Sequence, residues 1–260
     1  MGSRAFRAAF ALPLVLALAG CEISVGNLAG RATDEWTRSY PLAAGGELQV
    51  GNQNGTVDIE GTDGTTVEVR AERIAKAATD AGARELLPRI KIDENVSANR
   101  VSIETERMEG FMLGAAVEVR YHVKAPKGTV VGVTLGNGRI SLTGLSGKVT
   151  AHTSNGAVTG AQLSGPVDAE TTNGAVRVDL SAVGGPVTLR TTNGGVRLTL
   201  PKTANADLEA SCVNGGINVS GLTLQTSEQS RRRVAGKLNA GGPLVSLHTT
   251  NGGIQVESAK

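Results

Sequence analysis

The sequence predicts an all-β protein, a single-chain parallel β-helix or solenoid with rungs of about 18–21 residues and one short helix in the N-terminal half. Three observations predict this fold. Asn-Gly pairs recur at nearly constant intervals, a second glycine divides most intervals, and apolar and polar residues alternate between the glycines. A β-meander sandwich is the alternative, but it does not explain why the same residue types recur at one phase of every period.

Residues 1–20 have the pattern of an export signal. Arg4 and Arg7 precede an apolar run, Ala8 to Leu18, that is too short to span a bilayer as a permanent helix. The run leads into Leu18-Ala19-Gly20-Cys21, which resembles the bacterial lipobox, in which the cysteine is acylated after cleavage. We therefore predict a lipoprotein signal peptide over residues 1–20 and lipidation at Cys21. An ordinary signal peptide that happens to contain a cysteine is the alternative.

Residues 21–36 show little periodicity and are predicted to form a tether between the lipid and the folded domain. Several acyl chains give stable anchoring, so we expect the membrane to be the first partner of the protein. Glu22 follows the cysteine, and by resemblance to Gram-negative lipoproteins the lack of aspartate there favours the outer membrane. The expected location is the bacterial cell envelope, on its periplasmic or surface face.

Composition excludes several classes of protein. Glycine accounts for 35 of 260 residues and hydrophobic residues for 40%, which is too apolar for wholesale disorder. Removal of the signal leaves 24 basic and 24 acidic residues, and a neutral chain is not an electrostatic binder of nucleic acid. Two cysteines cannot form a disulfide framework or a cysteine-rich metal site. Cys212 lies on the same side of a predicted strand as Leu208 and Ala210, so we expect it to be buried.

The folded domain is predicted over residues 37–258, with an irregular part at 37–130 and regular repeats at 131–258. In the irregular part, short alternating segments such as Val57-Asp58-Ile59 predict strands, and Thr79 to Leu87 predicts the short helix, with Thr79 or Asp80 as its cap. We expect this part to cover the open N-terminal end of the solenoid, where an exposed edge would recruit other chains.

Six asparagines, each followed by glycine, mark the regular repeats. Their intervals are 18, 18, 20, 21 and 37 residues, and the last is close to two periods. The six are Asn137, Asn155, Asn173, Asn193, Asn214 and Asn251. Each period contains two short strands and two turns, and one unit buries too little apolar surface to be stable alone. We expect successive copies to stack coaxially, with one interior file formed by Val158, Val176, Val196 and Ile217.

The Asn-Gly pairs follow from turn geometry, because both residues tolerate the left-handed backbone region. Equivalent turns in a solenoid lie about 4.8 Å apart, so the asparagine side chains can hydrogen-bond along the stack. We interpret them as a structural ladder. A row of polar ligands for a sugar or a metal is the alternative.

Outward-facing residues are also predicted to form files. Glu170 and Arg190 would be neighbours of opposite charge in one file, and Arg177 and Arg197 would be neighbours of like charge in another. Asp179 could neutralise the two arginines diagonally. If it does not, Arg177 and Arg197 form a small anion-binding patch.

A polar stretch from Leu222 to Gly242 interrupts the repeats and contains Arg231-Arg232-Arg233. A solvated loop is the simplest interpretation. Contact between these arginines and lipid phosphate or an anionic partner is the alternative.

These residues resemble a bacterial "putative adhesin" family, a domain of unknown function found in envelope proteins, often lipoproteins. The resemblance rests on the phased Asn-Gly turns, on the segment Ala125-Pro126-Lys127-Gly128-Thr129, and on the closing run Thr249-Thr250-Asn251-Gly252-Gly253-Ile254. It covers residues 45–258 approximately. It implies a right-handed β-helix-like fold, a surface or periplasmic location and no established activity, and the family offers no catalytic residues to transfer.

We therefore expect a non-enzymatic envelope lipoprotein, an adhesin-like solenoid that binds or scaffolds an envelope protein or a glycan and needs no cofactor. One alternative is a polysaccharide lyase or hydrolase, for which Asp168 and Glu170 are the candidate carboxylates. Against it, Arg190 would keep Glu170 ionised, and no aromatic residue follows Tyr121. The three histidines have no companions at metal-ligand spacing. A partner in envelope-stress sensing is the other alternative.

Overall fold

The computed structural model describes residues 28–43, 45–108 and 114–259. The strands are β1 (Gly30–Pro41), β2 (Glu47–Thr62), β3 (Thr66–Ala77), β4 (Ile92–Ser97), β5 (Arg100–Thr105), β6 (Ala115–Pro126), β7 (Val130–Thr143), β8 (Val149–Asn155), β9 (Val158–Leu163), β10 (Val167–Asn173), β11 (Val176–Leu180), β12 (Val187–Asn193), β13 (Val196–Leu200), β14 (Ala206–Asn214), β15 (Ile217–Ser220), β16 (Leu224–Gln229), β17 (Arg233–Leu238), β18 (Leu244–Asn251) and β19 (Ile254–Ser258). The helix α1 spans Asp80–Leu86, and a 3-10 turn at Leu87–Arg89 follows it. The prediction of an all-β fold with one short helix in the N-terminal half is confirmed.

The predicted signal peptide, residues 1–20, and Cys21 lie outside the described residues.

Each rung consists of two strands joined at an Asn-Gly turn. β8 and β9 flank the turn at Asn155-Gly156, whereas the long strands β2 and β7 each continue through their turn without a break. The strands before the turn stack in parallel on one side of the molecule, which we call the first face. The strands after the turn stack in parallel on the other side, the second face. These strands form the parallel solenoid that the repeats predict.

The rungs do not all stack in chain order. From the N-terminal end, they are β2, β7, β8–β9, β10–β11, β12–β13, β18–β19 and β14–β15. The last rung of the sequence thus lies inside the stack, between β12–β13 and β14–β15. The expectation that successive copies stack one after another is therefore wrong at this end.

A β-hairpin explains the exchanged order and the 37-residue interval. β16 and β17 pair in antiparallel fashion, and β17 pairs with β14 along the edge opposite to β18. Since β17 occupies one edge of β14, only the other edge is free to accept a parallel rung, and β18 fills it. The predicted solvated loop at residues 222–242 is therefore wrong, because most of it is this hairpin.

The N-terminal end of the solenoid is covered by strands that change from parallel to antiparallel pairing. On the second face β6 pairs in parallel with β2, then β3 pairs antiparallel with β6 and β1 antiparallel with β3. On the first face β5 pairs in parallel with β2, and β4 pairs antiparallel with β5. β2 is itself a rung, although it lies in the part predicted to be irregular.

The predicted tether at residues 21–36 is too long, because residues 30–36 belong to β1 and pair with β3. Charged cross-strand contacts hold this strand. Arg73 Nε donates to Asp34 Oδ1 at 2.7 Å, and Arg70 Nε lies 2.8 Å from Glu35 Oε2. Such a strand lacks the apolar alternation that identifies the others in the sequence.

Aliphatic side chains fill the space between the two faces. One interior file contains the residue three positions after the asparagine of each Asn-Gly turn. Its inner members are 0–2% exposed. The file is Ile140, Val158, Val176, Val196, Ile254 and Ile217 in stacking order. Ile217 is partly exposed because its rung ends the second face. Burying each of these side chains contributes about 1.5–3 kcal/mol, so this interior is the main source of stability.

The helix α1 begins where the sequence predicts. Thr79 is the N-cap, and its Oγ1 accepts a hydrogen bond from the Gly82 N–H at 3.1 Å. The helix packs Ala83 against Ala32 of β1 and Ala77 of β3, so it covers the outer end of these strands.

Candidate binding surface on the second face

The asparagines of the turns form one continuous ladder. Each side-chain Nδ2 donates to the Oδ1 of the asparagine in the next rung toward the N-terminal end, at 2.8–2.9 Å. In stacking order the ladder is Asn54, Asn137, Asn155, Asn173, Asn193, Asn251 and Asn214. All six asparagines that the sequence singles out are thus brought together, and Asn54 precedes them. Each inner amide uses one N–H group and one oxygen lone pair within the ladder, so these side chains help to set the register of the rungs.

A second polar file lies just inside the turns. Thr171, Thr191 and Thr249 each donate a hydrogen bond from Oγ1 to the carbonyl oxygen of a turn glycine in the neighbouring rung, at 2.8–2.9 Å. Cys212 occupies the same position in the terminal rung, in register with Thr249, and is buried. The repeated Thr-x-Asn-Gly therefore combines two ladders, one exposed and one buried.

Each ladder asparagine is followed by glycine because the backbones of neighbouring turns lie too close together to leave room for a Cβ atom. At Gly138, φ is +133°, and a Cβ atom would lie 1.7 Å from the carbonyl oxygen of Gly55. A side chain at such a position would clash with the turn beneath it.

Arg177 and Arg197 are in-register neighbours on β11 and β13 of the second face, and both are exposed. Arg197 Nη2 donates to Gln255 Oε1 at 2.8 Å, so its partner is neutral. Within the described residues, no carboxylate oxygen lies within 4.0 Å of either guanidinium, Asp179 included. The two positive charges are therefore not neutralised by a direct ion pair.

An open trough of about 420 Å³ runs beside these two arginines. The residues at its base are small, namely Ala175, Gly195 and Gly253, and the amide side chains of Gln255 and Asn218 continue its wall beyond Arg197. Since the wall follows a file of in-register residues, the trough is aligned with the stacking axis and crosses the strands.

A larger depression of about 580 Å³ lies on the same face near the N-terminal end. Acidic and basic side chains from β2, β3 and β6 alternate along its wall, and His122 Nδ1 lies 3.4 Å from Asp58 Oδ2. Its ionisable residues are Asp58, Glu60, Glu68, Arg70, His122 and Lys124. Carboxylates accompany the basic groups here, in contrast to the trough. Sequence reasoning missed this depression because antiparallel pairing brings together strands that are distant in the chain.

The first face carries the other predicted file. Glu170 is in register with His152 on one side and Arg190 on the other, and His248 follows Arg190. Ser211 Oγ lies 3.0 Å from His248 Nδ1. Glu170 and Arg190 are neighbours, but their charged atoms are more than 4.0 Å apart. These side chains lie on an open sheet surface.

The arginine run lies at the C-terminal end of the stack. The backbone carbonyls of Arg231 and Arg232 accept hydrogen bonds from the N–H groups of Ile217 and Cys212, at 3.3 and 2.9 Å. Arg233 Nε lies 3.0 Å from Glu228 Oε2 across the hairpin. The tip of the hairpin therefore covers the last turn with its backbone, while its side chains remain exposed.

The largest changes in acidity occur away from the trough, in the N-terminal part. Burial raises the pKa of Tyr121 to about 12, although a hydrogen bond with Thr105 acts in the opposite direction. Burial, followed by a hydrogen bond to Glu94, also raises the pKa of Tyr40. The hydrogen bond from Arg120 to Glu118 raises the pKa of that guanidinium.

In the described part of the chain, no three His, Cys, Asp or Glu side chains are close enough to one another to hold a metal ion. No helix in residues 28–43, 45–108 or 114–259 is long and apolar enough to cross a membrane.

Comparisons with known proteins support the fold. A family model described as Toastrack DUF4097 matches residues 43–257. A solved structure of a "putative cell adhesion protein" from Clostridium sporogenes is 13% identical, with a TM-score of 0.52, and the match covers 87% of this chain and 100% of that chain. A "putative adhesin" from Bacteroides fragilis is 10% identical, with a TM-score of 0.38, and the match covers 87% of this chain and 97% of that chain. No curated protein sequence matches this chain.

Proposed function

Because the chain belongs to the Toastrack DUF4097 family, we propose that it is a non-enzymatic cell-envelope lipoprotein whose solenoid acts as a binding or scaffold module. The observation that supports this proposal is the second face. Stacked strands hold exposed side chains in straight files there, and two open depressions lie along it. A rigid surface with regularly spaced polar groups is suited to binding an extended partner.

The proposed anchor is Cys21, at the end of the signal over residues 1–20. Since β1 begins at Gly30, eight residues, 22–29, would separate Cys21 from the first strand, and the nine steps from Cys21 to Gly30 have a reach of at most about 30 Å. β11, which carries Arg177, is six strand positions from β1 on the second face, or about 29 Å. The tether is thus about as long as the distance from β1 to the trough.

The geometry of Asp168 and Glu170 favours binding over catalysis. Hydrolysis of a glycoside needs one protonated and one ionised carboxyl group on either side of the scissile bond. Asp168 and Glu170 instead project from one strand of the open first face, and Glu170 has His152 and Arg190 as its lateral neighbours.

The proposal is tested with the full-length chain and a Cys21→Ala variant expressed in a Gram-negative host. We expect the full-length chain to incorporate labelled fatty acid and to sediment with outer-membrane fractions, and the variant to lose both properties. In the same cells, crosslinking should capture an envelope protein or glycan on the intact chain. Release of the unlabelled chain in soluble form would contradict the anchor. Cleavage of an acidic polysaccharide that is lost in an Asp168→Ala, Glu170→Ala variant would contradict the non-enzymatic role.

A further inference from the structure

We propose that the trough beside Arg177 and Arg197 binds a linear glycan that carries carboxylate or phosphate groups, with the polymer aligned along the stacking axis. This inference rests on the proposed binding function and names the class of ligand. It is carried by the pair of uncompensated guanidinium groups and by the shape of the cavity beside them.

The adjacency of the two charges sets the pair apart, since Arg139 and Arg190 also lack a carboxylate within 4.0 Å but neither lies beside another arginine. Arginines 31, 38, 70, 73, 100, 120 and 233 each have a carboxylate within 4.0 Å. Arg177 and Arg197 have none among the described residues, although they are adjacent and repel each other. Like charges directly opposite each other on a sheet are destabilising, and an anion bound between them would remove this repulsion. The planar guanidinium group matches a carboxylate or a phosphate through two parallel hydrogen bonds.

The small residues that keep the cavity open are not all required by the fold. Gly195, Gly253 and Gly216 do not have a positive φ. A Cβ atom at Gly216 would meet nothing within 4 Å, whereas one at Gly195 or Gly253 would lie 3.3 or 3.4 Å from a backbone carbonyl oxygen, a close approach that a small shift relieves. The equivalent position in the second rung holds Arg139, so the fold tolerates a long side chain there. Small residues at this end leave space for a ligand to lie against the strands.

The remaining groups of the trough favour a hydroxylated polymer over an isolated ion. Gln255 and Asn218 continue the file beyond Arg197. The Gln255 amide accepts from Arg197 and donates to Glu257 Oε2 at 2.9 Å, but an amide has two N–H groups and two oxygen lone pairs, so each amide can still contact a hydroxyl group. The sequence has no aromatic residue after Tyr121, so stacking against a neutral sugar ring is not available in the trough. Charge is therefore the main source of affinity, and the amides contact hydroxyl groups along the chain.

The test measures binding of the mature chain to four soluble polymers: polygalacturonate, a glycerol-phosphate glycan, free polyphosphate and neutral dextran. We expect one or both acidic glycans to bind, neutral dextran not to bind, and higher salt to weaken binding. Preference for polygalacturonate or for the phosphate glycan identifies the anionic group. Equal binding of polyphosphate would overturn the assignment to a glycan, as would binding of neutral dextran.

Matched variants locate the site. The Arg177→Gln, Arg197→Gln double variant should bind the acidic glycan at least about tenfold more weakly, because two charge-assisted contacts are lost. Arg190→Gln removes an exposed arginine from the opposite face and should change the affinity little. Gly253→Gln keeps both charges but fills the trough, and it should also weaken binding. Equal losses in Arg190→Gln and the double variant would overturn the proposal.

Failure of this inference is distinguishable from failure of the proposed function. If the full-length chain is anchored and crosslinks to an envelope component, but no acidic glycan binds the mature chain, the ligand assignment fails and the binding module stands. Unfolding by urea provides the folding control. The double variant removes the repulsion and also the exposed hydrogen bond from Arg197 to Gln255, so we expect its free energy of unfolding to stay close to that of the original chain. Unchanged stability in urea then assigns a loss of binding to the site.

Discussion

Asn251 Nδ2 donates a hydrogen bond to Asn193 Oδ1 at 2.8 Å, although the two residues are 58 positions apart in the chain. Asn214, which lies between them in sequence, is the partner of Asn251 on the other side. This relationship places the last rung of the sequence inside the stack. It also makes the ladder continuous across the hairpin formed by β16 and β17.

The ladder predicts that a central asparagine contributes more to stability than a terminal one. Asn173→Ala removes two side-chain hydrogen bonds and should lower the free energy of unfolding by about 1–2 kcal/mol, whereas Asn214→Ala removes one and should cost about half as much. Urea denaturation of the two variants checks this. Equal losses in the free energy of unfolding would mean that the amides hydrogen-bond to water as favourably as to one another.

The two kinds of glycine predict opposite responses to alanine. Gly138→Ala places a Cβ 1.7 Å from the carbonyl oxygen of Gly55 at a positive φ, so it should cost several kcal/mol or prevent folding. Gly216→Ala meets nothing within 4 Å and should change the midpoint of thermal unfolding little. Circular dichroism during heating compares the two variants. A large loss at Gly216 would show that its backbone conformation needs glycine.

The threonine file predicts a stabilising substitution in the terminal rung. Cys212→Thr introduces a hydroxyl group in register with Thr249, where it can donate to the carbonyl of Gly252 as Thr171, Thr191 and Thr249 do in their rungs. Thr153, at the same position in another rung, has no hydrogen-bond partner within the described residues. We expect a gain of about 0.5–1.5 kcal/mol in the free energy of unfolding. Cys212→Val has a similar shape without a donor and is the control. If both variants are equally stable, the hydrogen bond contributes nothing at this end.

Tyr121 predicts a loss of stability at high pH. Its pKa is about 12 in the folded chain and about 10 in an unfolded one, so the unfolded state releases the proton first. The contribution of Tyr121 is therefore complete below pH 10 and is lost as the pH rises through 12. Stability measured by urea unfolding should fall over this interval, and Tyr121→Phe should reduce the slope. Tyr40→Phe, tested separately, accounts for the other tyrosine whose pKa is raised.

The position of β1 predicts that residues 30–36 belong to the folded domain. A chain that begins at residue 37 loses seven of the twelve paired positions of β1, together with the contact between Asp34 and Arg73. It should be less stable by about 2 kcal/mol or more than a chain that begins at residue 28. Equal unfolding midpoints of the two chains would mean that residues 30–36 do not stabilise the folded domain and belong to the tether.

The regular part of the fold was predictable because its signals are local. The alternation Val176-Arg177-Val178 assigns a buried and an exposed side from sequence alone, and the structure has Val176 and Val178 buried and Arg177 exposed. Thr79 was one of two candidate caps, and it is the residue that caps α1. Such signals depend on neighbours within a few positions of the chain.

The order of the rungs was not predictable from these patterns. Val245 is in register with Val187 on one side and with Leu208 on the other, so an apolar match permits either order. The choice depends on the hairpin, whose polar strands resemble a loop in sequence. β1 was missed for a related reason, since Asp34 and Arg73 stabilise it through charges that are 39 positions apart.

The candidate site also has one part that the repeat predicts and another part that it does not. The adjacency of Arg177 and Arg197 follows from the repeat, because equivalent residues of neighbouring rungs lie side by side. The role of the small residues beside them is apparent only from the cavity in the structure. The larger depression with Asp58 and His122 needs the antiparallel order of β1, β3 and β6, which no repeat encodes.

The inserted rung has a consequence for how the protein is made. Residues 244–258 are synthesised after residues 187–220, yet their place is between the two rungs that those earlier residues form. Until they arrive, β12–β13 and β14–β15 either expose bare strand edges or pair with each other in an arrangement that must later separate. A nascent chain stalled near residue 243 is therefore the species most prone to aggregate and most dependent on chaperones.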